Sequence, residues 1–274
     1  MLNKWALWLF SENNSDMQIS LFSFWHIFYL VLIFGGAILL ACLLRKRSGK
    51  AKDVTLKIFA YLTIGIYIAD FFIMPLSDSY SFGISAWKLP FNICTLVGVF
   101  VPFAQFNKKF KPIKGVVAML AMASAVMWMV YPGTALGGEP PFSFVIFQTF
   151  MYHGFLFTWG FLTVTIGDVK LHIKHCWKDL LGILVVLVWA AFGNAVYDMY
   201  DWFFITGETF PIFPKWVMPF FVVALVFVVC LALYGITHLV RFIVCKIERK
   251  KSIKQQKQIV EEDKKSDQIE KGEV

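Results

Sequence analysis

Charge is what this sequence has least of. Asp, Glu, Lys and Arg make up 16% of its 274 residues, where a soluble domain carries about a quarter. The shortage is concentrated in long uncharged runs, and hydrophobic residues reach 58%. Runs such as Ile183-Leu-Val-Val-Leu-Val-Trp-Ala-Ala191 also lack the apolar–polar alternation of membrane strands. That excludes a β-barrel and leaves helices. A convincing internal repeat is missing too, so nothing points to an inverted-repeat transporter. Five cysteines, an odd number scattered along the chain, give no disulfide framework. No His, Cys and Asp group has metal-ligand spacing, so neither a metal nor another cofactor is expected. The last apolar run has no Lys to hold retinal.

What is present is a series of segments long enough to cross a hydrocarbon core of ~30 Å, which takes ~20 helical residues. They fall at Phe22–Leu44, Leu56–Leu76, Leu89–Phe106, Val116–Tyr131, Phe142–Gly167, Leu180–Tyr200 and Val217–Val240. The expected fold is an all-α, polytopic bundle of seven transmembrane helices, multi-pass in the cell membrane.

The net charge of +8 does not mark a nucleic-acid binder, because of where the charges sit. Six basic residues lie between or beside the first two spans (Arg45, Lys46, Arg47, Lys50, Lys52, Lys57), and four follow the third (Lys108, Lys109, Lys111, Lys114). Three follow the fifth span (Lys170, Lys174, Lys178), and ten run from Arg241 onward. Only Lys4, Lys88 and Lys215 fall on the opposite side. Lys and Arg are retained on the cytoplasmic face, which places the N-terminus outside and the C-terminus inside.

Three regions follow. Residues 1–21 form an outer interfacial segment, with Trp5 and Trp8 beside Lys4 suited to the headgroup layer. Residues 22–245 are the membrane domain, and residues 246–274 are a charged cytoplasmic tail. The basic start of that tail, Lys246 to Lys257, suits anionic lipid headgroups.

Polar residues inside spans are costly and face the bundle interior or water. Counting helical rise from the outer ends puts Asn92 and Cys94 roughly 5–8 Å deep, and Asp70, Gln148 and Asn194 about 9 Å deep. His26 and Asp198 lie nearer the outer surface, and His153 is deepest, at roughly 17 Å. The inner half has almost nothing comparable. The expectation is one polar cavity opening outward. Each residue also has a packing role open to it: a His bonding a neighbouring helix, a Cys filling a small space, an Asn holding loop backbone.

Four pieces carry a resemblance: Phe22-Ser-Phe-Trp-His26, Leu89-Pro-Phe-Asn-Ile-Cys94, His153-Gly154, and the stretch from Asn194 to Tyr200. They resemble the YwaF-like family of seven-helix membrane proteins, related to eukaryotic TMEM-type phospholipid acyltransferases that use a cysteine and a histidine. The resemblance implies Cys94 as acyl acceptor and His153 as its base, with membrane phospholipids as partners. Asp70, Asn92, Gln148, Asn194, Asp198 and His26 would then line the substrate site. The chain departs from the family in having Asn92 where His is common and Thr95 where an acidic residue is common. A carrier or receptor for a small polar solute, or a structural membrane protein, stays open beside the enzyme.

Overall fold

In a computed structural model of the chain, the described residues are 19–73, 89–132, 140–166, 169–197, 201–208 and 213–239, with single positions 242, 246 and 256. Asp198, expected in the substrate site, the segment before residue 19 and nearly all of the tail lie outside them. Every regular element among the described residues is helical. The chain divides into two compact units, Met1–Leu233 and Tyr234–Val274. In the second, the Thr237 hydroxyl donates to the Tyr234 carbonyl.

The helices are α1 (Phe24–Leu44), α2 (Gly49–Ile73), α3 (Ile93–Phe106), α4 (Lys114–Val130), α5 (Phe144–Thr165), α6 (Cys176–Val196) and α7 (Met218–Leu239). Among the described residues, five segments are long and apolar enough to cross a membrane: α1, α2, α4 with its leading 3-10 turns from Lys108, α6 with its leading turn from Ile173, and α7. At 14 residues, α3 is shorter. The 22 residues of α5 are interrupted by Gln148, Thr149 and His153.

Capping sets the starts. The Ser23 hydroxyl accepts from the His26 amide, and the Ser143 hydroxyl from the Ile146 amide, each satisfying an amide that the first turn leaves without a helical partner. α2 begins seven residues before the apolar run from Leu56, within the basic loop. An Asp53–Lys57 ion pair of 2.7 Å, one turn apart, helps that polar end stay helical.

α4 is the centre of the bundle. Of its apolar window 61% is buried, against 22–33% for the other four spanning segments. Its Ala-rich stretch Ala118–Ala125 lets neighbours approach closely, and α5 packs most extensively against it. Gly160 of α5 lies where a Cβ would come within 2.6 Å of the Ala118 carbonyl oxygen. Gly182 of α6 sits against Val116 and Leu120 in the same way.

α1 contains a π-helical turn, Val31–Gly35, whose Ile33 fills the notch at Gly154 on α5. Such turns recur at functional sites. This one lies beside His153.

Candidate functional site

Cys94 stands in the first turn of α3 and is partly accessible. Its side chain interacts with Ser124 on α4, a buried hydroxyl that also lies 3.4 Å from the Ala121 carbonyl. The Cys94 carbonyl accepts a 2.8 Å hydrogen bond from the Tyr152 hydroxyl of α5. Gly98, one turn further along α3, makes room for it: a Cβ there would collide with the Tyr152 hydroxyl.

His153 follows Tyr152, and their rings meet edge to face at 5.2 Å. Its ring stacks on Trp128 of α4 at 4.1 Å with 9° between planes. Ser124 and Trp128 are one turn apart, about 6 Å, on α4. The helix that touches the thiol therefore also touches the imidazole, one turn nearer its Val130 end. That corrects the order of depth counted from the sequence, which took the span ends as level and made His153 the deeper of the two.

The hydrogen bonds fix the proton on each buried histidine. Nδ1 of His153 lies 2.8 Å from the Thr149 carbonyl. A carbonyl only accepts, so Nδ1 carries the hydrogen, and Nε2 of the neutral ring keeps its lone pair. His26 is the reverse. Its Nδ1 accepts from the Phe22 amide at 3.0 Å, and its Nε2–H donates to the Met129 carbonyl at 2.8 Å. Both nitrogens of His26 are thus committed to tying α1 to the end of α4, beside Trp128.

The other sequence candidates divide into two groups. Asp70, 4% exposed on α2, acts electrostatically on Tyr67, whose ring lies 5.8 Å from that of Tyr152. Gln148 is buried, and its Oε1 accepts from the Thr149 hydroxyl at 3.1 Å. Asp70 is thus linked to the Cys94–Tyr152–His153 cluster through Tyr67, and Gln148 through Thr149, whose carbonyl His153 bonds.

Asn92 and Asn194 instead hold backbone. Asn194 accepts from the Trp202 amide at 2.8 Å and donates to the Trp202 carbonyl at 3.1 Å. Asn92 accepts from the Phe203 amide at 3.1 Å. Phe203 and Phe204 have φ of 60° and 53°, a left-handed conformation costly for bulky side chains. The two asparagines thus hold a strained aromatic loop onto the residue two before Cys94. Phe91 packs beneath it against Trp189, Tyr197 and Trp202, filling the space left by Gly193.

The end of the bundle where α4 and α6 begin, expected to be the inner one, is more polar than expected. Lys114 is 7% exposed and lies 6.0 Å over the Trp159 ring; Asp179 is 1% exposed and acts electrostatically on Cys230. The Trp159 indole donates to Gln105, and the Gln105 amide donates to Asp53, at 3.2 Å each. The expectation of an apolar inner half is corrected. Span boundaries drawn at Val116 and Leu180 excluded Lys114 and Asp179, whereas α4 and α6 begin at or before them.

Sequence reasoning missed Ser124, Trp128, Tyr67 and Tyr152. The available signal was depth: Ser124 lies six residues from the outer end of α4, level with Cys94. Among the described residues, no three His, Cys, Asp or Glu side chains are grouped to hold a metal ion.

The fold and this membrane-embedded polar cluster define a polytopic helical membrane protein. The chain matches the TMEM164 family over residues 21–237 and belongs to that family. No curated protein and no solved structure matches it.

Proposed function

We propose that this protein is a Cys94/His153-dependent acyltransferase acting on membrane phospholipid, related to the YwaF-like proteins. In this reading α3 and α5 complete a seven-span bundle in the cell membrane, N-terminus outside, with the basic tail on anionic headgroups inside. The observation that carries it is the His153 tautomer. Only a thiolate attacks an ester well, and a base with a bare nitrogen must take the thiol proton. His153 has that nitrogen, is oriented by a backbone carbonyl, and stands one α4 turn from the residue touching Cys94.

The step balances. The Cys94 proton passes to Nε2 of His153, sulfur bonds the ester carbonyl carbon, and the lysolipid alkoxide leaves with the proton from His153. Reversal onto a second lysolipid hydroxyl completes transfer.

The test is the purified protein in vesicles of phospholipid bearing a labelled acyl chain. A hydroxylamine-sensitive thioester on Cys94 and release of lysophospholipid are expected, lost in Cys94→Ser and kept in Cys42→Ser. Absence of both from the wild type overturns the reading. A polar solute carrier is the second reading, favoured by the buried Lys114 and Asp179 at the inner end, since a carrier needs polar groups along its path. Saturable solute uptake without thioester formation would select it.

A further inference from the structure

Nucleophile and base do not complete an acyl-transfer site. When sulfur bonds the ester carbon, the carbonyl oxygen becomes an oxyanion, and in an apolar interior that charge needs a fixed donor. Backbone amides of α3 beyond its first turn are committed to the helix, and His153 Nδ1–H is committed to Thr149. The Tyr152 hydroxyl is differently placed. It donates to the Cys94 carbonyl at 2.8 Å, and its ring is wedged between Tyr67 and His153.

The carbonyl it bonds is a dispensable partner. A carbonyl in the first turn of a helix already accepts from the amide four residues on, here Gly98, so the phenol adds a second bond that can be surrendered. Gly98 keeps the position open, since any side chain there would strike the hydroxyl.

We propose that Tyr152 is a catalytic residue that donates its hydroxyl hydrogen to the oxyanion formed on the lipid ester during attack by Cys94. The inference rests on the acyl-transfer reading. In the resting enzyme the hydrogen points to the Cys94 carbonyl. As the ester seats against the sulfur, it turns about the Cζ–Oη bond to the substrate oxygen. The oxyanion forms, accepts this bond, and returns its electron pair to carbon as the alkoxide leaves; Tyr152 keeps its proton throughout.

The experiment compares two reactions of the same thiol in detergent-solubilised full-length protein. Iodoacetamide alkylates sulfur by displacing iodide, with no oxyanion at the reacting carbon. A p-nitrophenyl ester of a long-chain fatty acid acylates sulfur through one, releasing nitrophenolate. Mass spectrometry follows both at Cys94. Tyr152→Phe should slow acylation about 10²–10³-fold, as loss of an oxyanion donor does, and leave alkylation unchanged. Gly98→Ala, which displaces the hydroxyl but retains it, should also slow acylation selectively. In the Tyr152→Phe background the added methyl should have little further effect, because the atom it strikes is gone.

Acylation of Tyr152→Phe at the wild-type rate overturns the proposal. So does an equal fall in acylation and alkylation, which marks a packing role. A wild-type Cys94 that is alkylated but never acylated instead removes the acyl-transfer reading, and this inference with it.

Discussion

His26 and His153 are both buried, 0% and 6% exposed, yet they differ as reagents. Each makes a hydrogen bond to a backbone carbonyl, but His26 also receives one from a backbone amide, so no lone pair is left to take a proton. Substitution should separate the two. His153→Gln keeps a polar side chain of similar size but no basic nitrogen, and transfer per folded molecule should fall to the Cys94→Ser level. His26→Gln disturbs hydrogen bonds to buried backbone groups at a cost of about 1–3 kcal/mol. It should lower the thermal midpoint while folded molecules keep their chemistry. Activity normalised to folded protein, with melting in detergent, checks both; full transfer by His153→Gln would remove it as the base. Residue type inside an apolar span was enough to single out Cys94 and His153, but counted depth did not place them side by side. The tautomers were not legible, because they depend on Thr149, Phe22 and Met129 carbonyls and amides that every sequence has. Ser124 sits in an Ala-rich stretch, and Tyr152 and Trp128 lie among many aromatics of the helices, so none of the three stands out by residue type.

At the scale of elements, helical type follows directly from the uncharged runs, while boundaries do not. A boundary drawn at the last charge assumes that charge ends a span. Lys114 and Asp179 are buried within their helices, and α2 continues as a polar helix to Gly49. Packing distance is equally invisible in a sequence, and the glycines make that point testable. Gly65 of α2 has nothing within 4 Å of the place a Cβ would occupy, whereas at Gly160 the obstacle is the backbone oxygen of Ala118. Backbone cannot rotate aside as a side chain can. Gly160→Ala should therefore destabilise by about 1–3 kcal/mol, the usual cost of overpacking. Gly65→Ala should be neutral or stabilising by up to about 1 kcal/mol, the helix-propensity difference. Thermal midpoints of the two variants decide it, and equal values would show that α4 and α5 are not in the close contact described.

At the scale of the whole molecule, the short α3 raises a question of how the chain passes through lipid. Fourteen residues span about 21 Å, less than a ~30 Å core, so a crossing by α3 would hold the irregular turn Leu89–Asn92 near membrane depth. Irregular backbone is tolerated there only when protein satisfies it. The Phe91 amide bonds Leu89, the Trp189 indole bonds the Pro90 carbonyl, and Asn92 accepts from the Leu96 amide and the Thr95 hydroxyl. The Asn92 side chain then holds Phe203. In the proposed seven-span arrangement, α3 and its preceding turn serve as the third crossing and α5 as the fifth. An odd number of crossings puts the termini on opposite sides. The basic residues would then choose the orientation: those of Arg45–Lys57, Lys108–Lys114 and Lys170–Lys178 occupy the α1–α2, α3–α4 and α5–α6 connections, at one end of such a bundle, and the proposed arrangement turns that end to the cytoplasm. A reporter active only in the cytoplasm should therefore work when fused after Val274, and one active only outside should fail there. Fused before Met1 the two should exchange behaviour. If both termini report the same side, one of α3 and α5 does not cross. The site's depth, and the access of lipid ester to Cys94, would then have to be redrawn.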